Sequence, residues 1–255
     1  MSAIEFRSVT VAYRERTVVH PFTATVGESA WLGLIGPNGA GKTSLLRAVA
    51  GLVPHSGEIL VHGRALGDRS RRERAALITS MPQSPLRPAD MNGFDYVLLG
   101  RSPFISYFGS DTAHDRAVVD DVLGQLDLEE LAGRPLGELS GGEQQRMVIA
   151  RALATEASVL LLDEPTTALD LGHQQQTLDL VARLRRERGL SVVTAMHDLT
   201  LAGLYAEELI LLHEGRAVAS GAPADVLTPT NLTNYYGVRV EVLHRPDGTP
   251  IVVPG

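Results

Sequence analysis

Residues 30–50 read AWLGLIGPNGAGKTSLLRAVA, an apolar run, a glycine-rich turn and a second run with helical spacing. The turn, GPNGAGKT at 36–43, fits the spacing G-x-x-x-x-G-K-[ST]. Glycines let the backbone N–H groups of such a turn point at phosphate oxygens, and the helix that follows adds the positive end of its dipole. The stretch therefore predicts a strand, a phosphate-binding loop and a helix, in that order.

Lysine occurs once in the sequence, at position 42 of this turn, although the chain has 23 lysine and arginine residues in all. A compact ammonium can reach the β- and γ-phosphates of a nucleotide as a point charge, and the hydroxyl of Thr43 can ligate Mg²⁺. We therefore expect the whole turn to bind phosphate, through Gly36, Pro37, Asn38, Gly39, Ala40, Gly41, Lys42, Thr43 and Ser44.

A pair of carboxylates follows an apolar run later in the chain, where residues 158–165 read SVLLLDEP. A continuous apolar run is typical of a parallel strand that is buried on both faces. Because ligands of such sheets bind at the carboxyl ends of the strands, Asp163 is placed to hold Mg²⁺ and Glu164 to orient or deprotonate an attacking water.

The order of the remaining patterns predicts an α/β fold. Apolar alternation over residues 4–26 indicates strands, and strand and helix patterns alternate again after residue 155. Residues 90–155 have helical spacing and no strand pattern, so we expect an inserted helical subdomain. Beyond residue 228 the pattern predicts a short helix and two strands around the turn Pro246-Asp247-Gly248.

Composition narrows the classes of protein that fit. The formal net charge is -7 and there is no cysteine, which argues against nucleic-acid binding, a disulfide framework and a thiolate metal site. The N-terminal residues lack the pattern of a signal peptide, and no apolar run approaches the roughly 20 residues of a membrane span. We therefore expect a soluble or peripheral protein.

Residues 139–146 read LSGGEQQR and carry a second phosphate-binding signal. Ser140 and Glu143 have the spacing of a helix capping box. The two glycines at 141 and 142 cost helix stability, of order 1 kcal/mol each relative to alanine. Because a helix N-terminus with accessible N–H groups is an anion site, phosphate binding by this segment explains their presence.

LSGGEQQR resembles the signature motif of ABC-family ATPases, and the other motifs of that family occur in order. Gly36 to Thr43 is the P-loop, and Asp163 and Glu164 match the Walker B aspartate and the catalytic glutamate. Four shorter matches complete the set: Tyr13 for the aromatic that stacks on adenine, Gln83 for the Q-loop glutamine, Ala168-Leu169-Asp170 for the D-loop and His197 for the switch histidine.

The resemblance implies the fold of a P-loop NTPase, with a mainly parallel central sheet, an N-terminal antiparallel β subdomain and an inserted all-helical subdomain. The implied boundaries are 1–89 and 156–227 for the core with the β subdomain, 90–155 for the helical subdomain and 228–255 for a C-terminal appendage. A single ABC ATPase domain would then fill the chain.

The resemblance also implies a head-to-tail dimer that binds ATP and Mg²⁺. Each ATP would lie between the P-loop of one subunit and residues 140–143 of the other, beside Asp170. Gln83 would sense Mg²⁺ and the γ-phosphate, and His197 would hold the attacking water together with Glu164. The implied catalytic residues are Glu164, His197, Gln83 and Lys42; the implied metal ligands are Thr43, Gln83 and Asp163.

Further segments are similar to the importer ATPases for iron-siderophore complexes, haem and cobalamin. They are VLLGRSPF at 97–104, DLGHQ at 170–174, and residues 223–228 with the tail that ends near GTPIVVP at 248–254. The similarity implies permease subunits as partners, an extracytoplasmic substrate-binding protein as an indirect one, and a location on the inner face of the cell membrane. We expect residues 83–109 to form much of the permease-facing groove, with Arg101 on it.

Three alternatives stay open at this stage. A soluble ABC ATPase of translation or DNA repair usually has two cassettes or a long coiled-coil insertion, and neither pattern occurs here. An ordinary P-loop kinase or adenylate-binding protein would leave LSGGEQQR unexplained. Only the importer-like segments just named argue against the ATPase of an exporter with separate membrane subunits. Three positions depart from the commonest family pattern: Thr43 before Ser44, Ala168 and Phe104.

Overall fold

The computed structural model describes residues 2–106, 109–167 and 169–255. Position 168 of the predicted D-loop lies outside the described residues. The strands are β1 (Ser2–Tyr13), β2 (Arg16–Gly27), β3 (Trp31–Ile35), β4 (Ser56–Val61), β5 (Arg64–Ala65), β6 (Ile78–Met81), β7 (Val159–Asp163), β8 (Ser191–Ala195), β9 (Glu208–His213), β10 (Arg216–Gly221), β11 (Val240–His244) and β12 (Pro250–Pro254). The helices are α1 (Lys42–Val49), α2 (Arg71–Ala75), α3 (Gly93–Leu98), α4 (Ala113–Gln125), α5 (Gly141–Leu153), α6 (Leu171–Arg188), α7 (Leu199–Tyr205), α8 (Pro223–Val226) and α9 (Pro229–Tyr236).

A six-stranded sheet forms the centre, in the order β10-β9-β3-β8-β7-β6. Parallel pairing joins β3, β6, β7, β8 and β9, and β10 joins β9 as an antiparallel edge strand. Every residue of β3, β7 and β8 is buried, as their continuous apolar sequences predict. The parallel arrangement brings the ends of β3, β6, β7 and β8 to one edge of the sheet, where all the predicted catalytic residues follow.

The N-terminal strands form a separate antiparallel sheet in the order β2-β1-β4-β5. Phe6 and Phe22 meet edge to face in its core, with ring centroids 5.1 Å apart. Their cluster includes Leu45 of α1 and Leu161 of β7, so α1 lies between the two sheets. The antiparallel β subdomain therefore packs against the helix that begins at the P-loop.

The described residues of 90–155 contain α3, α4 and α5 and no strand, which confirms the predicted helical insertion. Tyr96 of α3 and Met147 of α5 are buried in the same cluster as Leu162 of β7. The helical part therefore shares a core with the central sheet.

The C-terminal segment contains α8, α9 and the β11–β12 hairpin, close to the predicted helix and two strands. Thr200 of α7 anchors the hairpin, because its hydroxyl donates to the Val252 carbonyl and accepts from the Val252 amide. The short elements β5, α2, α8 and β10 were not predicted. In the part of the chain that the structure describes, every helix is too short or too polar to cross a bilayer.

Candidate nucleotide-binding site

The turn between β3 and α1 needs glycine at two places. Gly36 has a φ of 145°, and a Cβ added there would lie 2.1 Å from the carbonyl oxygen of Leu212. Gly41 has a φ of 104°, and its added Cβ would lie 2.8 Å from the carbonyl oxygen of Val18. Neither the backbone conformation nor the space admits a side chain, so these glycines fix the path of the loop.

Lys42 is folded back into this loop and is only 5% exposed. Its ammonium donates to the carbonyl oxygens of Gly36 at 2.6 Å and Pro37 at 3.2 Å. Burial lowers the pKa of Lys42, and the nearby carboxylates of Glu164 and Asp163 act in the opposite direction. The loop thus binds the Lys42 ammonium through its own carbonyl oxygens. A phosphate group carries more negative charge than these oxygens and can compete with them for the ammonium.

Thr43, in the first turn of α1, meets Asp163 at the end of β7. The Thr43 hydroxyl donates to Asp163 Oδ1 at 2.9 Å, and the carboxylate is buried. Burial raises the pKa of Asp163, while the hydrogen bond from Thr43 lowers it. Two adjacent oxygen ligands at the entrance of a phosphate loop suit a hard cation such as Mg²⁺. The predicted ligands Thr43 and Asp163 are therefore together, whereas the Gln83 amide contacts Glu164 instead.

Two of the predicted catalytic residues, Gln83 and His197, contact a third, Glu164. Its Oε2 accepts from Gln83 Nε2 at 2.5 Å and from the Thr167 hydroxyl at 3.1 Å, while its Oε1 contacts His197 Nε2. The Glu164 backbone has a φ of 52°, a left-handed conformation that is rare for a non-glycine residue, and its amide donates to the Ala195 carbonyl. Thr167 was missed because a threonine just past this turn has no distinguishing pattern.

One cavity of about 300 Å³ brings part of these groups together, without Gln83, Thr167 or Asp163 among its lining residues. The P-loop forms one wall, and Glu164 and His197 line the cavity as well. Sequence reasoning missed two lining residues, Arg16 and Val18 of β2. Arg16 pairs with Tyr13 across the β1–β2 turn, and Tyr13 is 40% exposed. The pairing of these strands could have indicated that a basic residue stands beside the predicted adenine platform.

The signature residues lie apart from this cavity. Ser140 and Glu143 form the predicted capping box at the start of α5, where the Ser140 amide donates to Glu143 Oε2 at 2.7 Å. The hydrogen bonds from Ser140 lower the pKa of Glu143. A Cβ at Gly141 would meet nothing within 4 Å, so the backbone there is open. Ser140, Gly142 and Glu143 line a different groove of about 480 Å³ between α5 and α6.

Asp170 caps α6 rather than lining the cavity. Its carboxylate accepts from the His173 amide at 2.9 Å and contacts the His173 ring at 2.8 Å. These contacts with His173 lower the pKa of Asp170. The His173 ring also lies against Gly142, where an added Cβ would be 2.7 Å from His173 Cδ2. His173 thus links the end of the predicted D-loop to Gly142 of the signature motif within one chain.

The prediction that Arg101 faces a partner is wrong. Arg101 is 3% exposed and lies inside the helical subdomain. Its guanidinium donates to Asp115 Oδ1 at 2.9 Å, to the Ala154 carbonyl at 2.9 Å and to Glu156 Oε2 at 2.7 Å, and it lies 4.2 Å from the ring centroid of Phe104. The pattern GRSPF therefore marks an internal clamp, and Phe104 packs on it.

A strand, a glycine-rich phosphate loop and a helix, facing an Asp-Glu pair at the end of a parallel strand, define a P-loop nucleotide-binding protein. Comparison with family models matches residues 19–167 to the family described as ABC transporter. These residues make up more than half of the chain. The chain belongs to the ABC transporter family, among its ATP-binding subunits.

Curated relatives of known names are similar over most of the chain. It is 36% identical to the ferric enterobactin transport ATP-binding protein FepC of Escherichia coli, over 96% of this chain and 92% of that protein. It is 39% identical to the hemin import ATP-binding protein HmuV of Rhodococcus jostii, over 94% and 82%. It is 41% identical to the cobalamin import ATP-binding protein BtuD of Halobacterium salinarum, over 86% of this chain but only 55% of that protein, so the chain spans about half the length of that relative.

Solved structures share the fold. A protein described as a metal-chelate type ABC transporter, in an inward-facing conformation, is 28% identical with a TM-score of 0.84, covering 99% of this chain and 98% of that one. A dimeric ATP-binding cassette in a post-hydrolysis state with ADP and inorganic phosphate is 27% identical with a TM-score of 0.73, covering 86% and 98%.

Proposed function

We propose that this chain binds and hydrolyses ATP and thereby powers an ABC importer. The observation that carries the proposal is the Glu164 carboxylate, held between Gln83 and His197 on the wall of the cavity that the P-loop also lines. A carboxylate fixed in this way can orient and deprotonate a water molecule that attacks a bound γ-phosphate.

In this proposal the adenine ring stacks on Tyr13, beside Arg16 at the mouth of the cavity. The backbone amides of the P-loop and the Lys42 ammonium bind the phosphates. Thr43 and Asp163, with Gln83, hold Mg²⁺, which neutralises charge on the phosphate oxygens when bound. The Thr43–Asp163 hydrogen bond supports this ligand pair, because it keeps both oxygens at the entrance of the loop.

For hydrolysis, Glu164 accepts a proton from the water that attacks the γ-phosphate in line with the leaving oxygen. His197 holds the same water from the other side of the carboxylate, and Gln83 keeps the carboxylate oriented. Lys42 stabilises the negative charge of the transferring group. None of these side chains needs to travel far, since three of them are already in contact.

We also propose a head-to-tail dimer with two nucleotides. The signature residues 140–143 lie outside the P-loop cavity of their own chain. The backbone at Gly141 is open, since a Cβ added there would meet nothing within 4 Å. A helix N-terminus with accessible amides can complete the site of a second copy, with Asp170 nearby. Closure over ATP would then change the shape of the pair.

The proposed partners are permease subunits on the inner face of a cell membrane and, indirectly, an extracytoplasmic substrate-binding protein. Leu52 and Leu86 are exposed apolar residues near the Q-loop, and Leu99 is exposed at the end of α3; all three suit a permease contact. Iron-siderophore, haem and cobalamin-type substrates are proposed on the names of FepC, HmuV and BtuD. The proposed core, helical subdomain and appendage keep the boundaries 1–89 with 156–227, 90–155 and 228–255.

The test is sedimentation of Glu164→Gln protein with and without ATP and Mg²⁺, beside the unchanged chain. Removing the proposed base should slow hydrolysis about 100-fold or more and trap the closed dimer. We expect an ATP-dependent shift from monomer to dimer. Adding Ser140→Arg should abolish this shift without abolishing ATP binding, because the arginine blocks only the site of the other copy.

A variant that binds ATP yet stays monomeric, both alone and with the co-expressed permease, would contradict the shared site. Unchanged hydrolysis in Glu164→Gln would contradict the assignment of Glu164 as the base.

A further inference from the structure

Gln145 is a buried polar residue in α5 that takes no direct part in the proposed reaction. It is the seventh residue of the signature motif at 139–146, lies beyond residues 140–143 of the proposed nucleotide contact, and is only 5% exposed. A buried amide is costly unless its donors and acceptor are paired. Gln145 meets this requirement through groups from three different segments, which places it at a junction of the fold.

The most informative of these contacts is with the residue that follows Glu164. Gln145 Nε2 donates to the carbonyl oxygen of Pro165 at 2.9 Å and approaches Met81 Sδ, at the end of β6, at 3.8 Å. The first bond holds the main chain one residue beyond the proposed base. The second contact lies two residues before Gln83.

Glu164 depends on such support because its backbone is in a sparsely populated conformation. Its φ is 52°, and the following proline disfavours anything but extended backbone at this position. Strain of this kind persists only where neighbouring contacts hold it. The Glu164 amide is held by Ala195 from one side, and Gln145 holds the Pro165 carbonyl from the other.

The acceptor side of Gln145 extends the link to the Q-loop. Arg87 Nη2 donates to Gln145 Oε1 at 2.9 Å, and Gln83 of the same loop donates to the Glu164 carboxylate. The Q-loop therefore reaches Glu164 twice, directly through Gln83 and indirectly through Arg87, Gln145 and Pro165.

We propose that Gln145 is a positioning residue for hydrolysis: it ties the signature helix to the Pro165 peptide and so sets the orientation of the Glu164 carboxylate in the same chain. This inference rests on the proposed function. If α5 binds the nucleotide of a second copy, movement of α5 reaches its own Glu164 through this amide. Each site would then affect the other through one buried side chain.

The test compares Gln145→Met, Gln145→Glu and the control Gln144→Met in steady-state ATP hydrolysis. Methionine has nearly the same shape but loses both hydrogen bonds, and glutamate keeps the acceptor for Arg87 but cannot donate to Pro165 when ionised. Gln144 lies next to Gln145 on α5 and bonds only to the carbonyls of Leu136 and Leu139, apart from a 3.5 Å contact with Arg87.

We expect both Gln145 variants to lower kcat about tenfold or more with KM within about twofold, and Gln144→Met to change kcat by less than about threefold. In a Glu164→Gln background, Gln145→Met should lower the residual rate by less than about twofold, because the carboxylate that it positions is absent. The cooperativity of the rate with ATP concentration should also fall in the Gln145 variants.

A residue that serves only for packing would give a different result. The proposal would be overturned if Gln145→Met lowered the thermal midpoint and the affinity for ATP together with kcat. It would also be overturned if Gln145→Met and Gln144→Met changed kcat and KM to the same extent. If Gln145→Met does not fold, Arg87→Met tests the same link from its other end and should lower kcat with KM kept. A Glu164→Gln variant with unchanged hydrolysis would instead refute the proposed function, independently of Gln145.

Discussion

Lys42 shows how one side chain reflects its whole surroundings. Among the 23 lysine and arginine residues of the chain, all the others are arginine. The ammonium of Lys42 fits between the carbonyl oxygens of Gly36 and Pro37 at 2.6 and 3.2 Å, a space that a planar guanidinium with five donors cannot fill in the same way. The need for a compact cation explains why lysine stands here alone.

Lys42→Arg should keep the fold and weaken ATP binding about tenfold or more, because the larger group cannot enter the loop and reach the phosphates together. Calorimetric titration with ATP and Mg²⁺ measures the affinity, and the thermal midpoint checks the fold. As Lys42 is the only lysine, an amine-reactive probe should label it and the N-terminus alone, and ATP should protect Lys42. Labelling that ATP does not alter would contradict its place at the phosphates.

Gly36 and Gly39 offer a matched comparison within the P-loop. Both have positive φ, 145° and 80°, but an added Cβ clashes with Leu212 at Gly36 and meets nothing within 4 Å at Gly39. We expect Gly36→Ala to lower the free energy of unfolding by about 1–3 kcal/mol more than Gly39→Ala. Denaturant unfolding without nucleotide measures the difference, and equal losses would show that the clash is relieved.

At the scale of elements, the Arg101 clamp joins α4 to the end of α5. Its carboxylate partner Asp115 is also part of the cap of α4, since Thr112 bonds the same side chain. The hydrogen bonds from Thr112, first from its side chain and then from its backbone, together with Arg101, lower the pKa of Asp115 to about 2. One carboxylate thus caps a helix and pairs a buried guanidinium.

Stability should depend on this carboxylate in acid. Because the folded pKa of Asp115 is below its usual value of 3.8, the stabilisation is present above about pH 4 and is lost as the pH falls toward 2. Asp115→Asn should lower the free energy of unfolding by about 3 kcal/mol at pH 7, since it leaves a buried cation with fewer partners.

Urea unfolding between pH 2 and pH 7 measures both effects. The difference between the unchanged chain and Asp115→Asn should shrink as the pH falls from 4 to 2. A difference that stays constant over this range would contradict the role of the Asp115 charge. Arg101→Glu should likewise destabilise the helical subdomain rather than act at a partner surface.

At the scale of the whole molecule, exposed apolar residues occur in several places, and two of them lie near the Q-loop. Leu86, which is 78% exposed, and Leu52 stand near the Q-loop, whereas Leu243 stands on the C-terminal hairpin. Leu52 borders a small crevice with Met81, Pro82 and Asp163. A contact at this surface would therefore lie next to Asp163, one of the proposed Mg²⁺ ligands.

Leu86→Asp should abolish co-purification with the proposed permease while ATP binding by the isolated chain changes by less than about twofold, because a charge in an apolar contact prevents docking. Leu243→Asp is the control and should leave co-purification intact. Pull-down from detergent-solubilised membranes measures the complex. Loss of the complex with both variants would show that the Q-loop surface is not the specific contact.

The sequence by itself determined the P-loop, the Asp163–Glu164 pair, the buried strands β3, β7 and β8 and the capping box of α5. Each of these depends on neighbouring residues in the chain, so their spacing alone carries the physical signal. The helical character of residues 90–155 was predictable for the same reason.

Only the tertiary structure decided that Arg101 is buried, that Arg16 lines the cavity beside the P-loop, and that Gln145 bonds the Pro165 carbonyl. Arg101 looked like a surface cation because its partners Asp115 and Glu156 lie 14 and 55 residues away. Gln145 looked like any polar residue on a helix, since nothing local tells which face meets the turn after β7. Contacts between distant segments arise from packing, and packing leaves no pattern among neighbouring residues.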